Sequence, residues 1–143
     1  MKKKLSCVLL IDDDAPTNFL NRLVLEESCC TERIHVAQSG QAALDYLRVT
    51  SELGAKDSSL AAPELIFLDI NMPAMDGWEF LSRYNTLLDA QKPGVVIVML
   101  TTSLNPEDEV KARTIPSVAG FQCKPLTPKV LDNLLGNHFP DYF

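Results

Sequence analysis

The chain has 143 residues, 46% hydrophobic and 22% charged, with a net charge of −6 and an isoelectric point near 4.8. That length suits one domain burying about two-thirds of its unfolded surface, and the composition excludes a disordered chain. The acidic balance argues against direct nucleic-acid binding, which needs a basic face.

The one basic cluster, Lys2-Lys3-Lys4, reads as a solubilising cap ahead of a strand. The start "MKKKLSC" has the flavour of a lipoprotein signal, but only Leu5 and Ser6 separate Lys4 from Cys7. A signal needs an apolar stretch of about 7–15 residues there. No window reaches the roughly 18 apolar residues of a membrane span, so a cytoplasmic protein without membrane contact is expected. Cys7, Cys29, Cys30 and Cys123 show no C-x-x-C spacing, and His35 and His138 add no ligand spacing. Free, buried thiols in a reducing compartment are expected rather than a zinc site.

In chain order, apolar runs alternate with helical patterns. "CVLLI" (7–11) opens, and residues 15–29 follow with Pro16 in the first turn and Phe19, Leu20, Leu23 and Val24 as apolar positions. "IHVA" (34–37) precedes a helix over 40–52, with Ser39 as N-cap and Ala43, Leu44 and Leu47 on one face. A long connection, about 49–64, leads to "LIFL" (65–68). Its first part extends the second helix and the rest is a surface loop. A helix over 77–89 follows Asp76, with Phe80, Leu81, Tyr84 and Leu88 at helical spacing. "VVIVML" (95–100) precedes a helix over 106–114 that has Asn105 as cap, Pro106 first, and Glu107 and Asp108 in its first turn. "VAGFQC" (118–123) precedes a helix over 128–136, after Thr127, presenting Val130, Leu131, Leu134 and Leu135.

Strand then helix, five times, predicts an α/β fold: a parallel sheet with helices on both faces, in three layers. Three of the runs are almost continuously apolar, as strands buried on both faces are. No repeat, low-complexity segment or second domain interrupts the pattern.

Ligands of such doubly wound sheets bind at the carboxyl ends of the strands. The first strand ends in Asp12-Asp13-Asp14, the third in Asp69, the fourth in Thr101-Thr102-Ser103 and the fifth in Lys124-Pro125. Clustered carboxylates repel and a cation relieves them. Their oxygens favour a hard ion such as Mg²⁺. Magnesium with a lysine and a hydroxyl makes a cradle for phosphoryl oxygens, and an aspartate can itself accept a phosphoryl group. Pro73 and Gly77 shape the turn after Asp69.

The motifs "LLIDDD", "LIFLDINMPAMDGWEFL", "VIVMLTTS" and "FQCKPLT", in this order on these strand ends, resemble the receiver domain of two-component response regulators. The resemblance covers about residues 6–136, so 1–143 is expected to be a single receiver domain. It implies a flavodoxin-like, CheY-like five-stranded sheet of order 2-1-3-4-5. It implies Asp69 as the acceptor of a phosphoryl group from a sensor histidine kinase or a histidine phosphotransfer protein, with Mg²⁺ as cofactor. Asp13 matches the direct metal ligand, Asp12 its acidic neighbour, and Asn71 the position offering a backbone carbonyl. Thr101 matches the switch hydroxyl, Lys124 the lysine that holds a phosphoryl oxygen, and Phe121 the aromatic switch position, often tyrosine in the family. The Lys124-Pro125 bond is commonly cis there. "MLTTS" and the long 49–64 loop are most similar to stand-alone receivers of the phytochrome-associated kind.

Two features depart from the average receiver: the longer loop before the third strand, and Pro116 in "RTIPSVAGF", which implies a short fourth helix. With no output domain in view, signalling is expected to act through contact with a downstream protein, as monomer or homodimer, or by passing the phosphoryl group on.

Blander readings stand beside these. Asp14 reads as a helix N-terminal acid. Thr101 and Thr102 are both ordinary strand residues by composition, and the choice of Thr101 rests on the family register. Met72, Met75 and Trp78 read as loop and core packing, and "NHFPDYF" as a tail packed on the body. A haloacid dehalogenase-type phosphatase would place its nucleophile at Asp12, but Pro16 occupies the threonine position of its D-x-D-x-T pattern and the chain lacks room for a cap. A module that keeps the fold without phosphorylation sits poorly with the intact acid, threonine and lysine set. A flavodoxin-like electron carrier would need a phosphate-binding loop after the first strand.

Overall fold

The computed structural model describes residues 4–53, 62–87, 95–102 and 105–142. Lys2, Lys3, residues 54–61 of the long loop, Leu88 and Ser103 lie outside the described residues.

The element order is β1 (Val8–Ile11), α1 (Ala15–Ser28), β2 (Ile34–Ala37), α2 (Gly40–Leu53), β3 (Leu65–Asp69), α3 (Gly77–Leu87), β4 (Val96–Thr101), α4 (Pro106–Arg113), β5 (Val118–Cys123) and α5 (Pro128–His138). All pairings are parallel, and the sheet order is β2-β1-β3-β4-β5. The expected doubly wound sheet and its strand order are therefore observed.

Alternation along the strands builds two cores, because successive side chains face opposite sides of a sheet. Leu9, Ile11, Ile66, Leu68, Ile97 and Met99 pack with residues of α2, α3 and α4, among them Leu44, Leu47, Phe80 and Leu81. Val8, Leu10, Leu65, Phe67, Val98 and Leu100 pack with Leu25 of α1, Leu131, Leu134 and Leu135 of α5, and Phe139. The central strands β1 and β3 are buried throughout, which is why they read as unbroken apolar runs.

The helix starts use the expected caps. Asp14, Asn105 and Thr127 accept the backbone N–H groups of Thr17, Glu107 and Val130. The side chains of Ser39 and Asp76 accept from Ala42 and Glu79. Each satisfies a donor that the first helical turn leaves unpaired. α4 is short, ending at Arg113 before Pro116.

Three expectations fail. Phe19, Leu20 and Leu23 of α1 are exposed, at 62%, 51% and 37%, and Val24 is half-buried. The buried face of α1 consists of Asn18, Asn21 and Leu25, spaced three and four apart. That spacing is the proper stripe of a helix, but two of its three positions are polar. The thiols are all free, yet only Cys7 and Cys30 are buried. Cys29 is exposed as the left-handed cap of α1, with φ 56°. Cys123 is exposed as the last residue of β5, an edge strand. α5 passes through Gly136 to His138 rather than stopping at 136, closed by Phe139 N–H donating to the Leu135 carbonyl.

The tail packs on the body as expected. Phe139 is buried, its ring lies 5.4 Å from that of Tyr142, and the Tyr142 hydroxyl donates to Glu64 at 2.8 Å. The same carboxylate accepts from the Ser6 backbone at 2.7 Å. One acid thereby joins the chain's tail to the entrances of β1 and β3.

Candidate functional site

Three strands deliver carboxylates and an amine to the carboxyl edge. Asp12 follows β1, Asp69 is the last residue of β3, and Lys124 follows β5. β1 and β3 are neighbours in register, with Ile11 opposite Leu68, so Asp12 and Asp69 emerge side by side. Ligand oxygens of Asp12, Asp13 and Asp69 lie within 4.8 Å of one another. Asp12 and Asp69 are buried, and Asp13 is exposed.

The partners the buried acids require are present. Lys124 Nζ donates to Asp12 Oδ2 at 2.6 Å and lies 2.9 Å from Asp69 Oδ1. Asp12 Oδ1 accepts the Asp14 N–H at 2.9 Å. Desolvation pushes the Asp69 carboxyl above its ordinary value, and Asp12 adds to the rise; Lys124 and the Asn71 N–H oppose it. Desolvation pulls on the Lys124 ammonium too, but its bonds to Asp12 and Asp69 win and raise it. One lysine serving three carboxylates leaves an excess of negative charge at the edge.

Asp14 stands apart. Its side chain accepts from both the N–H and the hydroxyl of Thr17, which lowers its carboxyl. It caps α1 and does not join the acid cluster.

The turn after β3 is tightly built. Ala74 has φ 68°, an uncommon conformation for a residue with a side chain. Met75 N–H donates to the Pro73 carbonyl at 2.7 Å and Gly77 N–H to Ile70 at 2.8 Å. A Cβ on Gly77 would sit 2.7 Å from the Asp69 carbonyl oxygen and 3.0 Å from Ile70 Cα. Only glycine lets α3 start this close to the strand that carries Asp69. Met72 and Met75 are buried as packing residues. Trp78 is half-buried against the core, with Lys111 Nζ 4.6 Å from its ring centroid.

Thr101, the last residue of β4, is 2% exposed, whereas Thr102 beside it is exposed. The Thr101 carbonyl accepts the Lys124 N–H at 2.7 Å. Asn71 is exposed at the rim. Phe121 lies opposite Met99 in the β4–β5 register and packs half-buried against the core shared by α2, α3 and α4. The Lys124-Pro125 peptide is cis.

Two residues of this region had no chemical signature in the sequence. Asn18 Nδ2 donates to the Asp12 carbonyl at 2.8 Å, and Asn21 Oδ1 accepts the Leu126 N–H at 3.2 Å. The available signal was a polar pair three apart on the same stripe as Leu25, overlooked because the apolar residues between them suggested a different face.

Comparison with known proteins agrees with this geometry. The family model "Response regulator receiver domain" matches residues 8–135. The chain belongs to that family. A solved two component response regulator from Cytophaga hutchinsonii superposes with a TM-score of 0.87 at 33% identity, covering 96% of this chain and 99% of that one. Response regulator Rcp1 of Synechocystis sp. is 30% identical over 103 residues, 72% of this chain and 66% of Rcp1. The Mn(2+)-bound form of Rcp1 superposes with a TM-score of 0.67 at 26% identity, covering 92% and 90%. The bacteriophytochrome response regulator RtBRR superposes with a TM-score of 0.75 at 28% identity, covering 94% and 78%. This chain is thus a receiver domain of a two-component response regulator, with CheY-like architecture and an acidic cluster able to hold a metal ion. Its structural relatives include phytochrome-associated regulators. Among the described residues, no helix is long and apolar enough to cross a membrane.

Proposed function

We propose that Asp69 takes a phosphoryl group from a phosphohistidine on a sensor histidine kinase or a histidine phosphotransfer protein, and that the resulting aspartyl phosphate switches a protein-binding face. The observation that carries this reading is the convergence of Asp12, Asp13 and Asp69 within 4.8 Å with Lys124 bridging two of them. A carboxylate oxygen of Asp69 attacks phosphorus in line. The new O–P bond forms as the N–P bond of the phosphohistidine breaks, and the donor imidazole leaves with its electron pair and takes up a proton. Water later hydrolyses the acyl phosphate and resets the switch. No turnover on a small substrate is involved.

The all-oxygen donor set fits a hard divalent ion. Asp12, Asp13, Asp69 and the Asn71 carbonyl would hold Mg²⁺, which supplies charge neutralisation for the phosphoryl oxygens. Lys124 holds a phosphoryl oxygen from the opposite side. The Thr101 hydroxyl turns toward another, and Phe121 follows it inward. A groove of about 200 Å³ between α4 and β5, bordered by Ala112, Arg113, Gly120 and Phe121, adjoins that switch. Its shape changes when Phe121 moves, which suits it to a downstream protein target.

A protein donor is favoured by the apolar patch of Phe19, Leu20 and Leu23 on α1, the helix that begins three residues after Asp12. Four free thiols agree with a reducing, cytoplasmic setting. The test is intact-mass spectrometry after incubation with a small acyl-phosphate donor. A single phosphoryl addition that needs Mg²⁺ and disappears in Asp69→Ala is expected. Addition that persists in Asp69→Ala would overturn the assignment.

A further inference from the structure

Asp12 and Lys124 form the 2.6 Å ion pair of the site, yet the strands that carry them are not neighbours. β3 and β4 lie between β1 and β5. No ladder hydrogen bond therefore fixes one end against the other. The element that touches both is α1. Asn18 donates its side-chain amide to the Asp12 carbonyl at 2.8 Å, and one turn later Asn21 accepts the Leu126 N–H at 3.2 Å. Leu126 is two residues beyond Lys124, and the Lys124 N–H is held in turn by the Thr101 carbonyl at 2.7 Å.

Both asparagines are costly choices for a core stripe. They are 5% and 2% exposed. Asn18 Oδ1 is buried without a hydrogen-bond partner, and such an atom costs about 1–3 kcal/mol. An apolar residue at 18 would remove that cost and continue the stripe that ends in Leu25. Packing alone thus does not account for Asn18; what its amide nitrogen holds does.

We propose that Asn18 and Asn21 are positioning residues of the phosphoacceptor centre. They make α1 a splint that sets the Asp12 backbone against the segment after Lys124, and so sets the distance between carboxylate and ammonium. This rests on the proposed function only in its consequences for Mg²⁺ and phosphoryl acceptance; the geometric claim concerns the ion pair itself.

The test uses the full chain with Asn18→Leu and Asn21→Leu, and Asn18→Ala should the leucine variant not fold. The primary readout is the side-chain ammonium signal of Lys124 in ¹⁵N NMR, recorded without metal or phosphate. Its exchange is slowed by the bonds to Asp12 and Asp69. The second is Mg²⁺ affinity, read from Trp78, the chain's only tryptophan. The third is the melting temperature. Loss or broadening of the Lys124 signal is expected in each variant. A roughly tenfold fall in Mg²⁺ affinity should accompany it in Asn18→Leu, where the backbone of a metal-ligating residue is freed. Asn21→Leu, which frees only the Lys124 side, should not weaken Mg²⁺ binding. Asn18→Leu should melt no lower than the wild type. An unchanged Lys124 signal with unchanged Mg²⁺ affinity would overturn the proposal and leave the asparagines as packing residues. Wild-type protein that shows the Lys124 signal but accepts no phosphoryl group would sink the phosphoacceptor reading instead, and the variants would still decide the splint.

Discussion

The ammonium of Lys124 lies 2.6 Å from Oδ2 of Asp12, a residue 112 positions earlier in the chain. The same ammonium lies 2.9 Å from Asp69. One cation thus holds two buried acids together, and its loss should act on stability and metal binding in opposite directions. In Lys124→Met the acids keep their burial and lose their partner, so the metal-free protein should lose about 3 kcal/mol. Mg²⁺, no longer competing with an ammonium, should bind more tightly. Chemical denaturation with and without Mg²⁺ reads both effects. A variant that is destabilised and also binds Mg²⁺ more weakly would contradict the account.

Asp69 behaves in the reverse of the usual carboxylate. Its folded pKa lies above the ordinary 3.8, chiefly through desolvation. The folded state therefore holds the proton more tightly than the unfolded chain, and stability falls as pH rises from the unfolded value through the folded one. Above the folded value the full cost is present. Asp69→Asn should melt several degrees higher than wild type at pH 7 in metal-free buffer. That gain should shrink as pH falls through the raised folded value and be gone once pH is below about 3.8. Melting curves across pH check the sign.

Gly77 is fixed by contact rather than by conformation. The added methyl of Gly77→Ala meets backbone atoms, the Asp69 carbonyl oxygen and Ile70 Cα, which cannot step aside as a side chain can. A destabilisation of about 1–3 kcal/mol is expected, with slower phosphoryl acceptance because β3 must shift where it carries Asp69. Stability close to wild type would show that the turn is looser than the geometry implies.

The exposed patch of α1 separates two kinds of donor. Replacing Phe19 and Leu20 together by serine removes apolar surface without touching the core. Transfer from a phosphorylated protein donor should fall about tenfold, the equivalent of 1.4 kcal/mol of docking energy. Acceptance from a small phosphodonor should not change. Equal losses with both donors would place the defect in the site and not in docking.

The sheet and its order of elements were legible because the strands read as apolar runs and the helix starts carry caps such as Asn105-Pro106 and Thr127-Pro128. The acid and lysine positions were legible because each ends a strand. The orientation of α1 was not. Phe19, Leu20 and Leu23 imitate a buried face, while the real one is held by amide hydrogen bonds from Asn18 and Asn21 that become visible only once Asp12 and Leu126 are placed. The exposure of Cys123 was likewise hidden, since an apolar run does not say whether its strand lies at the sheet's edge. The choice of Thr101 over Thr102 rests on the family register; in the structure the first is buried at the end of β4 and the second is exposed.

The central claim, that Asp69 is the phosphoacceptor, is tested most directly by trapping. Phosphorylated protein is reduced with borohydride, which converts an aspartyl phosphate to homoserine, and the peptides are mapped by mass spectrometry. Homoserine at position 69 alone is the predicted result. Homoserine at position 12, the nucleophile a phosphatase of the haloacid dehalogenase type would use, would contradict it.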